Sequence, residues 1–565
     1  MGNTNNFEFT GKQRRLFLGL IVVGIALAVI GGLLGDIDST RVWANLLVNS
    51  IFFMGIGLLG LFFVATHTMA YGGWYVLVRR IPEAISTFIP YGVAAMFVVV
   101  LGTYLGAHHL YHWTDTFIIQ EKVTVAELIE YEEKLRHHDE HHGDDHHEDG
   151  HGDEHGEDHG TEHGSLSVPV LSASLLQDGH SDDQHAEEHH GDDGHGHAEE
   201  EGDHGHPAGH HGDEHADEHH GDEHHDDAHA SDHHGDEHHD GHGAHGDDEH
   251  YTWWHNQVSE QGDGHHGTHY YADDYKGAAA TDSIVNPHFD GLIAHKSGYL
   301  NKNFWTGRFL IYAVLWIMLG IAIRRASLRE DKEGGLKWYD KSRVYSAAYM
   351  LIFGVTSAMA FWDYLMSIDT HWFSTMYAWY STCSIWVATL ATTILMVIYL
   401  KGQGYLPQVN SNHLHDLGKY LFGFSVFWTY LWFSQYMLIW YANLPEETFY
   451  YHMRNGDPAY RALFYFNLIA NFGVPFLVLV TRGAKRKVRV MTGIAAWLAV
   501  THWLDIFLGV MPGTVGQEWG ISALEIGMLM AFVGLFLYVV FNSLSKAPLT
   551  PQKHPLYMES VTHTT

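Results

Sequence analysis

A single cysteine, Cys383, in 565 residues rules out an intrachain disulfide, a CxxCH haem attachment and any iron–sulfur cluster held by this chain's own thiolates. No GxGxxG or Walker-type sequence stands in a strand-to-helix context, so phosphate-cradling nucleotide chemistry is excluded too. Lysine and arginine are missing altogether from residues 137–250, yet that stretch carries 37 of the 67 acidic residues and 33 of the 50 histidines. The net charge of −36 therefore belongs to one segment, and the rest of the chain sets 30 acids against 31 basic residues. No basic patch suggests nucleic acid as a partner.

What is present in that neutral remainder is apolar sequence. Ten windows of about 20 residues carry almost no charge, enough at 1.5 Å per residue to cross a hydrocarbon core of roughly 30 Å. They run over 16–34, 44–65, 85–107, 304–323, 344–366, 376–400, 417–441, 462–481, 490–510 and 520–543. Continuous rather than alternating apolarity excludes outer-membrane barrel strands. The expected fold class is an all-α membrane protein of about ten transmembrane helices. The first window follows Lys12, Arg14 and Arg15, as a secretory signal does, but its length and the missing cleavage pattern favour a retained helix. Alternate loops collect 21 of the 31 basic residues, which predicts both termini in the cytoplasm and the acidic segment outside. The domain plan is helices one to three in 1–112, an extracytoplasmic insertion in 113–300, helices four to ten in 301–545 and a cytoplasmic tail in 546–565.

Residues 137–250 permute Gly, Asp, Glu and His with almost no aromatic or branched residues, a composition that cannot offset chain entropy and predicts disorder. Clustered imidazoles could buffer metal ions weakly, but the spacing is too promiscuous to define a specific metal site. The plain reading is a solvated acidic spacer.

Ionisable and amide side chains inside membrane helices are costly, so each is a functional candidate. Asp363, Gln435, His502, Asp505 and Glu525 fall toward the extracytoplasmic ends of their helices, with Glu525 about six residues into the tenth. His502 and Asp505, spaced i, i+3, share a helix face and suit proton transfer, against a bland alternative of helix–helix packing. His67 lies near the cytoplasmic end of helix two and could open an inner proton half-path or cap a bundle contact. It is followed by a stretch through Arg79 and Arg80 expected in the interface. His67 and His502 lie at opposite depths, so haem b is not expected. Aromatic residues in 361–380 and 427–441 suit an interfacial belt or an aromatic-lined cavity for a quinone ring.

Three segments carry a resemblance: FWDYLMSIDTHWFSTMYAWY at 361–380, HDLGKYLFGFSVFWTYLWFSQYMLIWYANLPEE at 415–447 and RVWANLLVNSIFF at 41–53. They resemble the polysulfide-reductase-type (NrfD-like) membrane subunits of alternative complex III, a bacterial quinol:cytochrome c oxidoreductase. FTGKQRR at 9–15 looks more like the second of that complex's two such subunits. The resemblance implies two four-helix bundles plus two extra helices in the bacterial inner membrane, and no covalently bound cofactor. A menaquinol or quinone contact is implied. Haems and iron–sulfur clusters would lie in partners: a paralogous NrfD-like subunit, an iron–sulfur/molybdopterin-type subunit, multihaem cytochromes c and a terminal oxidase. Proton-conducting roles would then fall to Asp363, His502, Asp505, Glu525 and His67, with Gln435, Asp369 and His371 in support. The His-rich insertion departs from the family pattern and inherits no role. Two other classes remain open: a secondary metal-ion transporter, which calls for a midplane ligand set and broken helices, and a purely structural anchor of a redox complex.

Overall fold

Polar caps decide where the apolar windows become helices. The computed structural model describes residues 6–34, 39–143, 271–275, 277–456, 458–516 and 519–564. Most of the His/acidic tract, the island 166–176 and nearly all of the flank 251–275 therefore lie outside the described residues. The long helices are α1 (Gly11–Leu34), α2 (Ser39–Met69), α3 (Arg80–Leu105), α4 (Lys302–Glu333), α5 (Leu336–Tyr364), α6 (Thr375–Gly402), α7 (Ser411–Ala442), α8 (Pro458–Leu479), α9 (Val488–Val510) and α10 (Ala523–Leu544). Asn301 caps α4 by accepting from the Phe304 amide, and Asn410 with His413 closes a capping box on α7. Gly106 ends α3 at φ 71°, a left-handed position that a Cβ disfavours.

Among the described residues nine of these helices are long and apolar enough to span a membrane, which makes this an all-α, multi-pass membrane protein. The ten-helix expectation holds only in part. α7 covers the 417–441 window and is 32 residues long, but its Trp, Tyr, Ser and Gln residues leave its most apolar stretch short of those in the other nine.

Contacts sort the helices. α2, α3, α4 and α5 form one ring of neighbours, and α6, α7, α8 and α9 a second, joined where α6 meets α2 and α5. α1 lies antiparallel along α10, and glycines let the backbones touch. A Cβ on Gly527 would lie 2.4 Å from the Ala28 nitrogen, and one on Gly24 2.5 Å from that of Ala531. Small residues at such a seam replace the hydrophobic drive that lipid removes.

α8 is not uniform. Ile469–Gly473 is a π-helical turn just before Pro475, whose ring lacks an N–H and crowds the carbonyl four residues back. The extra residue in the turn relieves that clash and leaves Asn467 and Asn471 both buried on the inward side.

The insertion has folded roots. β1 (Lys122–Thr124) pairs antiparallel with β2 (Ser283–Val285), and Glu132 of the Val125–Gly143 helix accepts from the Tyr271 and Ala272 amides at 3.0 and 2.8 Å. The tail is folded as well: Ser560 donates to the Trp74 carbonyl at 2.7 Å, and His563 pairs with Asp416. Arg79 and Arg80 depart from the interfacial expectation. Both are buried, 0% and 2% exposed, in ion pairs with Glu83, Glu330 and Asp331. A guanidinium survives burial when carboxylates replace its water, and those partners lie on helix faces that a linear reading does not bring together.

Candidate functional site: a carboxylate without a cation

Asp505, on α9, is buried where α6, α7, α8 and α9 meet. Ser384 of α6 donates to its Oδ2 at 2.6 Å and Trp428 of α7 donates its indole N–H to the same oxygen at 2.9 Å. Asn467 of α8 donates to Oδ1 at 2.6 Å, and so does the Tyr380 hydroxyl of α6. Each oxygen thus receives two hydrogen bonds, from four side chains on three helices. Among the described residues Asp505 makes no ion pair, so a change in its charge breaks none.

His502, one turn back on the same face, does not touch Asp505 directly. Ser384 Oγ lies 3.0 Å from His502 Nδ1 and bridges the two, while His502 Nε2 is buried and has no partner among the described residues. The network runs on into the π-turn of α8. Asn471 donates to Asn467 Oδ1 at 2.7 Å, and Thr501 donates to Asn471 Oδ1 at 2.6 Å.

Neither a family model nor a curated protein matches this chain. The site is therefore read from its own geometry.

Beside Asp505 lies a cleft lined by Tyr380, Gln435, Tyr451, Arg454 and Gly509 among others. Its volume is about 20 Å³, room for a water or two. Gln435 donates to the Tyr451 hydroxyl at 3.1 Å and leaves its Oε1 unpartnered. Arg454 is held by the carbonyls of Leu508, Tyr450 and Gly509 at 3.0 to 3.2 Å and reaches Asp369 Oδ2 at 3.1 Å. Burial pushes the Asp369 carboxyl above the usual carboxylate range, with Arg454 pulling the other way.

The remaining candidates do not join this cluster. Asp363 is clamped by Arg308 of α4 through both oxygens, at 2.9 and 2.8 Å, with the guanidinium 3.8 Å from the Tyr299 ring centre. Glu525 lies in the first turn of α10, not six residues in, because the helix begins only at Ala523. There it closes a capping box with Ser522 and pairs with Arg41 at 2.8 Å. His371 sits in the loop after α5, 2.6 Å from Asp290 of the insertion root. His67 places Nδ1 2.8 Å from the Phe63 carbonyl, has no partner at Nε2, and packs among the rings of Phe63, Trp74, Tyr75 and Tyr420. The single outer cluster expected from the sequence is thus resolved into separate systems, of which only Asp505, His502, Gln435 and Asp369 share a neighbourhood.

Sequence reasoning missed Tyr380, Ser384, Trp428 and Arg454. The first three look like ordinary helix and belt residues, and only Arg454, flanked by Tyr450 and Tyr451, carried a signal. Among the described residues no group of three or more His, Cys, Asp or Glu side chains could hold a metal ion.

Proposed function

We propose that this chain is a proton-handling integral membrane subunit of a respiratory quinol:cytochrome c, or quinol:oxidase, oxidoreductase of the bacterial inner membrane. The observation that carries the reading is the Asp505 carboxylate, paired with no cation among the described residues and bridged to His502 by Ser384. Two proton arrangements fit the same heavy atoms. In one, Ser384 donates to Asp505 and His502 Nδ1–H donates to Ser384, which leaves Nε2 as a bare acceptor. A proton arriving at Nε2 shifts the Nδ1 proton to Ser384 and the hydroxyl proton to Asp505. The carboxyl then donates to Ser384 and Ser384 to Nδ1, with one proton gained and no heavy atom displaced. From Asp505 the proton leaves to water in the cleft beside Tyr380.

Quinol oxidation releases two protons with two electrons, and a subunit with such a relay serves that release. No quinol step is assigned to the cleft. Quinol oxidation itself would fall to a paralogous NrfD-like subunit, with haems c and iron–sulfur clusters in further partners. The resemblance of 41–53, 361–380 and 415–447 supports this reading, as does the sorting of helices into two rings of four plus a pair. On the same reading both termini face the cytoplasm and the insertion the periplasm, which puts the outlet of the relay on the periplasmic side.

Purification in mild detergent, with haem spectra and mass spectrometry of co-purifying chains, tests the assignment. Multihaem cytochrome and iron–sulfur partners are expected. A chain that purifies alone, and exchanges metal ions when reconstituted in vesicles, would overturn it.

A further inference from the structure

Orphaned buried polar atoms gather at the other end of the molecule, where α3, α4, α5 and the C-terminal segment meet. Arg79 donates to Glu83 Oε1 at 2.7 Å and to Glu330 Oε2 at 3.2 Å. Arg80 pairs with Glu83 and Asp331 and donates to Ser327 Oγ at 2.7 Å. Arg324 donates to the Glu83 carbonyl at 2.9 Å and to Ser543 Oγ at 2.6 Å. Three guanidinium groups thus balance three carboxylates. Yet among the described residues Arg79 Nη2, Arg80 Nε, Glu330 Oε1, Asp331 Oδ1, His554 Nε2 and the Tyr339 hydroxyl have no hydrogen-bond partner.

The chemistry of this set selects its ligand. The guanidinium N–H groups can only donate and the carboxylate oxygens accept, so an anion would be repelled by the second group and a metal ion by the first. Water both donates and accepts. Both oxygens of Glu83 have donors, because Oε1 receives Arg79 and Ser327 and Oε2 receives Arg80. Those of Glu330 do not both have one. Arg79 holds one of its oxygens, and the other faces His554.

The Leu556 amide donates to His554 Nδ1 at 3.1 Å, so the neutral ring carries its proton on Nε2, 3.8 Å from Glu330 Oε1. Burial, reinforced by Arg79 and Arg80 and opposed by Glu83, pushes His554 down to about 3, which keeps it neutral. Its ring packs edge-on against Tyr339 with centroids 5.2 Å apart.

We propose that this cluster is a hydrated proton-binding site, separate from Asp505, in which Glu330 takes the proton and His554 of the C-terminal segment stands beside its second oxygen. Uptake converts the Glu330 carboxylate to the carboxylic acid and takes the cluster from zero net charge to +1. Arg79 keeps Glu83 as its counter-ion throughout. Only the site's use in turnover rests on the function proposed above.

Hydroxyl-radical footprinting of the purified, unaltered complex reads the water directly, because bound water labels side chains that bulk solvent does not reach. Tyr349 is the internal reference: it is 0% exposed, and its hydroxyl donates to the Leu58 carbonyl at 2.8 Å. Tyr339, 5% exposed, should be labelled several-fold faster than Tyr349, and Glu330→Leu should lower that rate. Infrared titration of the full protein should show a protonated-carboxyl band that Glu330→Gln removes and Asp505→Asn retains. Equal labelling of the two tyrosines, or a titrating band untouched by Glu330→Gln, would overturn the proposal. Should the variants not fold, the footprint of the unaltered protein still decides. Co-purifying partners other than those expected would defeat the quinol reading and leave both measurements as they stand.

Discussion

Asp505→Asn keeps the volume of the side chain and removes its ability to accept at one of two positions. Whichever way the amide turns, its NH2 group faces either Ser384 and Trp428 or Tyr380 and Asn467. The hydroxyl in each pair can rotate and accept. The N–H of Trp428 cannot, and Asn467 cannot turn over freely because its Oδ1 already accepts from Asn471. One buried donor is therefore stranded, at a cost of about 1–3 kcal/mol in stability. If the carboxylate also relays protons, turnover should fall by roughly 10²-fold or more, the usual contribution of a positioned acid or base. Ser384→Ala leaves the carboxylate in place but cuts the bridge to His502. It should slow turnover comparably, and the double variant should lose little more than the worse single. The assay is quinol-dependent acceptor reduction by purified complex, normalised to assembled complex, with proton release followed in parallel. A loss of thermal stability with turnover within about twofold of the parent in both single variants would refute the relay and reduce the network to helix packing.

Further outcomes follow from the same contacts. Arg308→Leu strands the buried Asp363 carboxylate and should destabilise the folded protein by about 3–5 kcal/mol, with Asp363→Leu added on top restoring much of it in thermal unfolding. Gly527→Val forces α1 off α10 and should cost about 1–3 kcal/mol, whereas Gly19→Ala, with nothing within 4 Å of its Cβ, should cost no stability in the same melt. Because His554 is held at about 3 in the fold, the unfolded segment binds more protons below pH 6.5, so stability falls as pH drops. At pH 5 the loss is about 2 kcal/mol, visible as faster amide exchange in Tyr557–Val561, and His554→Gln should flatten it. Deleting residues 145–268 should leave complex yield within about twofold, since β1, β2 and Glu132 hold the roots together; loss of the complex would show that the tract carries structure.

The long helices were legible because each crossing must satisfy its backbone internally and clothe itself in apolar side chains, a demand written continuously along the chain. Their ends were less so. The Glu525 misplacement arose because apolarity continues past Gly520 while the helix waits for the Ser522 cap. The sharing of a face by His502 and Asp505 could be read from i, i+3 spacing, but the Ser384 bridge could not, since it lies 118 residues from His502 in sequence.

What the sequence by itself determined was a near-neutral, apolar, all-α body interrupted by an acidic tract, and a short roster of polar residues that the membrane makes expensive. Periodicity and composition are local, so a linear reading recovers them. Only the tertiary structure decided what each polar residue is for. Asp363 meets Arg308 from another helix and becomes an ion pair, and Glu525 meets Arg41 and becomes a cap. Asp505 meets four neutral donors and, among the described residues, no cation. The difference lies in which charge arrives across the bundle, and long-range packing alone sets that.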